Sequence, residues 1–251
     1  MAGAALVTGA GQRIGRAIAL DLARAGYAVA LHCHHSRVAA DELATEIMTT
    51  GGNAAVIVAD LADMAAVQRV VPKAAQAIGP LDVLVNNAAV FEMDTIETAT
   101  PDSWAFHLDI NLKAPFFLSQ AFAAQLPKGA EGNIVNLIDM RVWRLTPYFA
   151  SYTVSKAGLW TLTQTLAMAL APRIRVNAIG PGPTLPSTRQ SDAQFARQVA
   201  ETPLKRGAAP EEIAAAVRFL LGAKSMTGQM LALDGGQHLP WRPGRKAEEA
   251  E

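Results

Sequence analysis

The chain has 251 residues, 51% hydrophobic and 18% charged, which suits a large folded core and excludes an intrinsically disordered chain. Its 22 Lys plus Arg balance its 22 Asp plus Glu, so no field of one sign draws it to nucleic acid. A single cysteine, Cys33, excludes an intrachain disulfide framework and a multi-cysteine zinc site.

Short β-rich runs alternate with longer helical stretches. A strand over 5–8 leads through a glycine-rich turn into a helix over 14–25. A strand over 28–32 and a helix over 37–50 follow, then a strand over 54–58 and a helix over 63–78. The run Val83-Leu84-Val85 lies in a strand over 83–86 and is apolar throughout. A strand reads this way when helices cover both faces of a parallel sheet. Helices over 102–126, 152–171 and 210–222 alternate with strands over 133–138, 175–179 and 230–233. Pro210-Glu211-Glu212 is a good helix start, because proline fits the first turn and acids favour its positive end. The alternation predicts one α/β domain over 1–240, a doubly wound parallel sheet of about seven strands. Residues 183–207, rich in Pro, Gly, Ser and Thr, read as a long mobile loop that would hold substrate. Residues 241–251 read as a charged tail.

The turn after the first strand is Thr8-Gly9-Ala10-Gly11-Gln12-Arg13-Ile14-Gly15. Glycines at such a turn let the backbone approach a pyrophosphate, and the helix N-terminus favours its charge. An ordinary glycine-rich turn is the plainer alternative. The second strand ends in His32-Cys33-His34-His35-Ser36-Arg37, with no acid before Asp41. A carboxylate about 20 residues beyond the glycines usually binds the ribose of NAD. Its absence, with donors at His34, His35 and Ser36, points to NADPH. Strand alternation turns Cys33 away from His32 and His34, so no metal site is expected.

Tyr152 and Lys156 stand four apart at a predicted helix start and share one face. A nearby ammonium would lower the phenol pKa and ready it for proton exchange. Taken alone, the pair also fits a buried tyrosine beside a surface lysine.

Taken together, the motifs resemble the short-chain dehydrogenase/reductase family over about residues 4–239. They are a TGxxxxxG loop, Asn86-Asn87-Ala88, Asn111 in a helix, Tyr152-x-x-x-Lys156 and Pro181-Gly182, in that order. The resemblance implies Tyr152 as proton donor, with Lys156 holding the nicotinamide ribose and tuning Tyr152. It implies a water relay at Asn111, and Gly9, Gly11, Arg13, Ile14 and Gly15 around the pyrophosphate. Asp60 and Leu61 would border the adenine, Asn87 and Ala88 the adenosine ribose, and Pro181, Gly182 and Thr184 the nicotinamide. Family members are usually tetramers, paired through helices that correspond to 102–126 and 152–171, so a homotetramer is expected.

Two positions depart from the family pattern. Arg13 stands where most members have glycine, and Asp139 where most have the serine that donates to a substrate carbonyl. An ionised carboxylate cannot donate, and its charge opposes an oxyanion. Both departures resemble the pteridine and dihydromonapterin reductase branch. There the arginine contacts pyrophosphate and substrate, and an aromatic at the place of Phe91 stacks on the pterin. That branch's C-terminal end reaches a neighbouring active site, which would bring Trp241 to the substrate. Arg141, Trp143 and Arg144 are candidates for the substrate wall or for a subunit surface. The expected activity is NADPH-dependent hydride transfer to a conjugated C=N of a pterin-like small molecule. Asp139 and Tyr152 would supply the proton, and Arg13, Phe91 and Trp241 would contact substrate. One alternative is reduction of a carbonyl such as a 3-oxoacyl thioester. Another is a catalytically silent NADP(H)-binding sensor or scaffold. The sequence shows no secretory signal and no apolar run suited to a membrane, so a cytoplasmic location is expected.

Overall fold

The computed structural model describes residues 3–187 and 189–240. Trp241 and the rest of the predicted tail lie outside the described residues. Seven parallel strands form one sheet: β1 (Gly3–Val7), β2 (Tyr27–Cys33), β3 (Ala54–Val58), β4 (Val83–Asn86), β5 (Gly132–Leu137), β6 (Ile174–Pro181) and β7 (Met230–Leu233). Their spatial order is β3-β2-β1-β4-β5-β6-β7, the predicted doubly wound architecture.

Neighbouring strand residues send side chains to opposite faces. Leu6, Leu84 and Ile134 pack on one side with Val67 and Val70 of α3 (Met64–Ile78) and Leu118 and Phe122 of α5 (Ala114–Gln125). Val7, Val85 and Val135 pack on the other with Ile18 and Leu22 of α1 (Arg13–Arg24) and Leu43 and Ile47 of α2 (Arg37–Thr49). That second face is completed by Ile213, Val217 and Leu220 of α8 (Pro210–Gly222).

Two stretches differ from expectation. The predicted helix over 102–126 is α4 (Pro101–Leu108) followed by a π-helical turn, Asp109–Lys113, and then α5. Pro115 is the cause. It cannot donate to the carbonyl of Asn111 four residues back, and its ring crowds that carbonyl, so the turn widens. The predicted loop over 183–207 contains a helix, α7 (Asp192–Ala200). Ser191 and Gln194 close a capping box at its start, each side chain bonding the other's backbone N–H.

Candidate active site

The sheet order reverses between β1 and β4, and the carboxyl ends of those strands open a crevice. Thr8 sets its floor. Its N–H donates to the Val85 carbonyl (3.0 Å), and its hydroxyl accepts from the N–H groups of Asn87 and Ala88 (2.9 Å each). The Asn87 amide donates back to the carbonyls of Thr8 (2.8 Å) and Gly9 (3.1 Å). A side chain at Gly15 would place its Cβ 2.1 Å from the Gly9 carbonyl oxygen, so only glycine lets α1 close on the loop here. Gly11 is likewise tight, with Ser36 Oγ 2.8 Å from where a Cβ would stand.

A cavity of about 440 Å³ follows this floor. Gly9, Arg13, Ile14, Gly15, His34, His35, Ser36, Leu61, Asn87 and Ala88 line it, together with Gln12, His32, Ala89, Val90 and Ile110. Arg13 has φ 54, a left-handed backbone that explains why glycine suits this place. Its guanidinium donates to the carbonyls of Leu185 (3.1 Å) and Pro186 (2.9 Å), tying the glycine loop to the segment before α7. Asp60 lies outside the lining; its carboxylate accepts from the Ala62 N–H, 3.8 Å from His34 Nδ1.

His32 was not among the predicted site residues, yet it braces the loop. Its Nδ1 accepts from the Gly9 N–H (3.2 Å) and its Nε2 donates to the Ala59 carbonyl (3.1 Å). Burial takes its pKa down to about 4, which keeps the ring in the neutral form that both bonds require.

The second half of the site is built on α6 (Ala150–Leu170). Tyr152 and Lys156 share one face of it, both buried. The Tyr152 hydroxyl donates to Asp139 Oδ2 (3.0 Å), and the Arg141 N–H donates to Asp139 Oδ1 (2.8 Å). Lys156 Nζ donates to the Leu137 carbonyl (2.8 Å). Burial brings the lysine pKa down to about 8, against the pull of Asp139. The phenol moves the other way from the sequence expectation. Burial, and then the Asp139 carboxylate, hold the Tyr152 pKa well above its ordinary value. Burial likewise pushes Asp139 upward, against the opposing pull of Arg141 and Lys156.

Asn111 sits in the π turn, with its side chain committed to the Val90 backbone. Its oxygen accepts from the Val90 N–H and its nitrogen donates to the Val90 carbonyl, both at 2.9 Å, and to Ser155 Oγ (3.1 Å). That clamp positions the loop carrying Phe91. The Phe91 ring meets Tyr152 edge-on at 4.6 Å and stacks on Phe149 at 4.4 Å. Gly182 donates to the Leu233 carbonyl (3.0 Å), and Thr184 donates to the Gly182 carbonyl (3.2 Å). Both follow Pro181, which ends β6.

A buried network holds these parts together, and no local motif announces it. Phe149, at φ 60, precedes α6 and offers no capping side chain. Asp94 takes over that role. Its carbonyl accepts from the N–H groups of Phe149 (2.8 Å) and Ala150 (3.3 Å), and its carboxylate from the N–H of Ser151 (3.2 Å). Ser151 Oγ donates to the same carboxylate and accepts from His107 Nδ1 (2.8 Å). His107 Nε2 accepts from the Glu92 N–H (3.0 Å). One cluster thus anchors the Phe91 loop and the start of the tyrosine helix.

A family model described as enoyl-(acyl carrier protein) reductase matches residues 9–238. The chain belongs to the short-chain dehydrogenase/reductase family. It is 34% identical over 237 residues to a 3-oxoacyl-[acyl-carrier-protein] reductase of Synechocystis, covering 92% of this chain and 95% of the relative. An uncharacterized oxidoreductase of Methylorubrum extorquens is 35% identical over 240 residues, 92% of this chain and 96% of the relative. Among solved structures, the FolM alternative dihydrofolate reductase 1 from Brucella canis complexed with NADP superposes with a TM-score of 0.94. It is 47% identical, and the match covers 98% of this chain and 97% of that one. A blue fluorescent protein from a metagenomic library, in complex with NADPH, gives a TM-score of 0.88 at 34% identity, covering 94% and 97% of the two chains.

Proposed function

We propose that this member of the family is an NADPH-dependent reductase acting on the conjugated C=N of a pterin-like ring. The observation that carries the reading is Asp139, half-buried and hydrogen-bonded to the Tyr152 hydroxyl at 3.0 Å beside the Phe91 ring. A carboxylate there opposes the oxyanion of a reduced carbonyl, whereas it receives N–H groups and stabilises a nitrogen that gains a proton. The likeness to the Brucella enzyme named dihydrofolate reductase supports the same substrate class.

The glycine cradle, in which any Cβ at Gly15 would strike the Gly9 carbonyl, fits a pyrophosphate. Gly9, Gly11, Arg13, Ile14 and Gly15 would hold it. His34, His35 and Ser36 would receive the 2′-phosphate, with Asp60 and Leu61 beside the adenine. Asn87, Ala88 and Lys156 would hold the riboses, and Pro181, Gly182 and Thr184 the nicotinamide. NADPH, when bound, supplies the hydride. The chain's own residues supply the rest. Tyr152, kept as a neutral phenol, has a proton to give. Asp139, its affinity for a proton raised by burial, is suited to carry one to a ring nitrogen. Phe91 offers a flat apolar face to a heterocycle.

NADPH oxidation against dihydropterins, dihydrofolate, quinones and simple ketones tests the assignment. Turnover confined to ketones or 3-oxoacyl thioesters would favour the carbonyl reading instead, and no turnover at all the silent binder. His35→Asp is expected to shift cofactor preference from NADPH toward NADH by about tenfold or more, some 1.4 kcal/mol, through repulsion at the 2′-phosphate. Fluorescence titration with both cofactors measures it, and an unchanged ratio would remove His35 from that role.

The proposal extends to a cytoplasmic homotetramer. Among the described residues no helix is long and apolar enough to cross a membrane. Trp104, Phe106 and Phe116 on α4 and α5, and Val154 and Met168 on α6, are exposed apolar side chains suited to subunit contacts. Light scattering is expected to give four times the chain mass; a monomer would overturn the assignment.

A further inference from the structure

We infer that Arg141 receives a carboxylate on the substrate, so that the site favours a pterin bearing an acidic aryl tail over an uncharged one. The inference rests on the pterin reading above and deepens it.

Arg141 is the middle residue of a 3-10 turn, Met140–Val142, that begins immediately after Asp139. Its N–H bond to Asp139 Oδ1 fixes its backbone beside the acid. From there the side chain turns to an aromatic wall. Its guanidinium carbon lies 5.0 Å from the centre of the Phe149 ring. That ring is nearly parallel to Phe91, at 9°, and Phe91 meets Tyr152 edge-on. The cation therefore stands at the far end of a ring stack whose near end is the proton donor.

Its hydrogen-bonding capacity is largely unspent. One terminal nitrogen donates to the neutral Thr146 hydroxyl (2.8 Å), while Nε is buried with no hydrogen-bond partner. No carboxylate forms an ion pair with it among the described residues. A guanidinium presents five donors in a planar fork, and a buried unmatched donor is costly. A carboxylate matches that fork with two parallel bonds.

The surroundings also favour an anion. Arg189 reaches the Phe91 carbonyl (3.0 Å) and pairs with Glu92, and Arg13 reaches the carbonyls of Leu185 and Pro186 just before it. Glu92 offsets Arg189, which leaves Arg13 and Arg141 as the guanidiniums around this loop cluster whose hydrogen bonds go only to neutral groups. Such a mouth draws anionic ligands, and the flat faces of Phe91 and Phe149 suit an aryl group between head and acid.

The test compares dihydrofolate, which has an acidic aryl tail, with uncharged dihydrobiopterin. Arg141→Gln is expected to raise KM for dihydrofolate about tenfold or more beyond any change it makes in KM for dihydrobiopterin, with NADPH affinity nearly unchanged; a change in kcat common to both substrates reports the loss of the Arg141 charge near Asp139. Arg141→Lys keeps the charge without the fork, so its KM for dihydrofolate should fall between the two; it also serves if the glutamine variant does not fold. Equal effects on both substrates, or none on dihydrofolate, would overturn the proposal. Calorimetric titration of p-aminobenzoylglutamate into the NADP-loaded protein provides an arm independent of turnover. Binding to wild type that is lost in Arg141→Gln supports the carboxylate site, and absence of binding to wild type overturns it. If wild type reduces neither pterin, the pterin reading fails, and this titration alone decides what Arg141 binds.

Discussion

Tyr152→Phe is expected to lower kcat for reduction by about 10²–10⁴-fold, the usual range for loss of a positioned proton donor. The phenol is buried, and its hydroxyl has one described partner, Asp139. Removing the oxygen leaves the ring, its edge contact with Phe91 and the glycine cradle in place. NADPH affinity should therefore stay near wild type, and a fully active variant would show that protonation goes by another route. The pH profile adds a second reading. Lys156, its pKa brought down to about 8, is charged below that pH and loses its proton as pH rises through it. The ammonium is the form suited to hold the nicotinamide ribose and to lend positive charge beside Tyr152. The kcat/KM for wild type should accordingly fall above about pH 8, since that ratio reports groups of the free enzyme.

The sheet was legible because each strand announces itself by a short apolar run, and every strand but β7 also by a helix later in the chain. Leu84-Val85 and Ile134-Val135 divide between the two faces as buried parallel strands must. The glycine loop was legible because glycine at 15 has a steric cause. The first missed element, α7, carried a readable signal in Ser191-x-x-Gln194, outweighed by the Pro, Gly, Ser and Thr around it. Likewise Pro115 inside a predicted helix marked the widened turn at Asn111. Other features had no sequence signal. Asp94 and Ser151 are 57 residues apart, and His107 and Ser151 are 44 apart. Only the fold brings them together to replace the cap that Phe149 cannot provide. The direction of the Tyr152 pKa was illegible for the same reason. Four-residue spacing places a lysine nearby, but desolvation and a carboxylate on the hydroxyl outweigh it, and both are properties of packing.

Asp139→Ser separates the two chemistries this scaffold can host. It exchanges an acceptor that carries charge for a hydroxyl that can donate. Dihydropterin reduction is expected to fall by about 10²-fold or more, the scale of losing one acid–base group, while reduction of simple ketones rises as an oxyanion donor appears. NADPH affinity should hold, because Asp139 is not part of the cavity wall formed by the glycine loop and the His34–Ser36 segment. Stability gives a check that the variant remains folded. Burial raises the Asp139 pKa, so the folded state binds its proton more readily than the unfolded chain does. Stability then declines as pH rises from the unfolded pKa through the folded one, and the full cost of the buried charge is present above both. Serine removes that cost and can still accept from the Arg141 N–H. The melting temperature of Asp139→Ser at neutral pH should therefore equal or exceed that of wild type, although two hydrogen bonds to the carboxylate are exchanged. Unchanged dihydropterin turnover in a variant that melts no lower than wild type would remove Asp139 from the reaction and return the site to the carbonyl reductases.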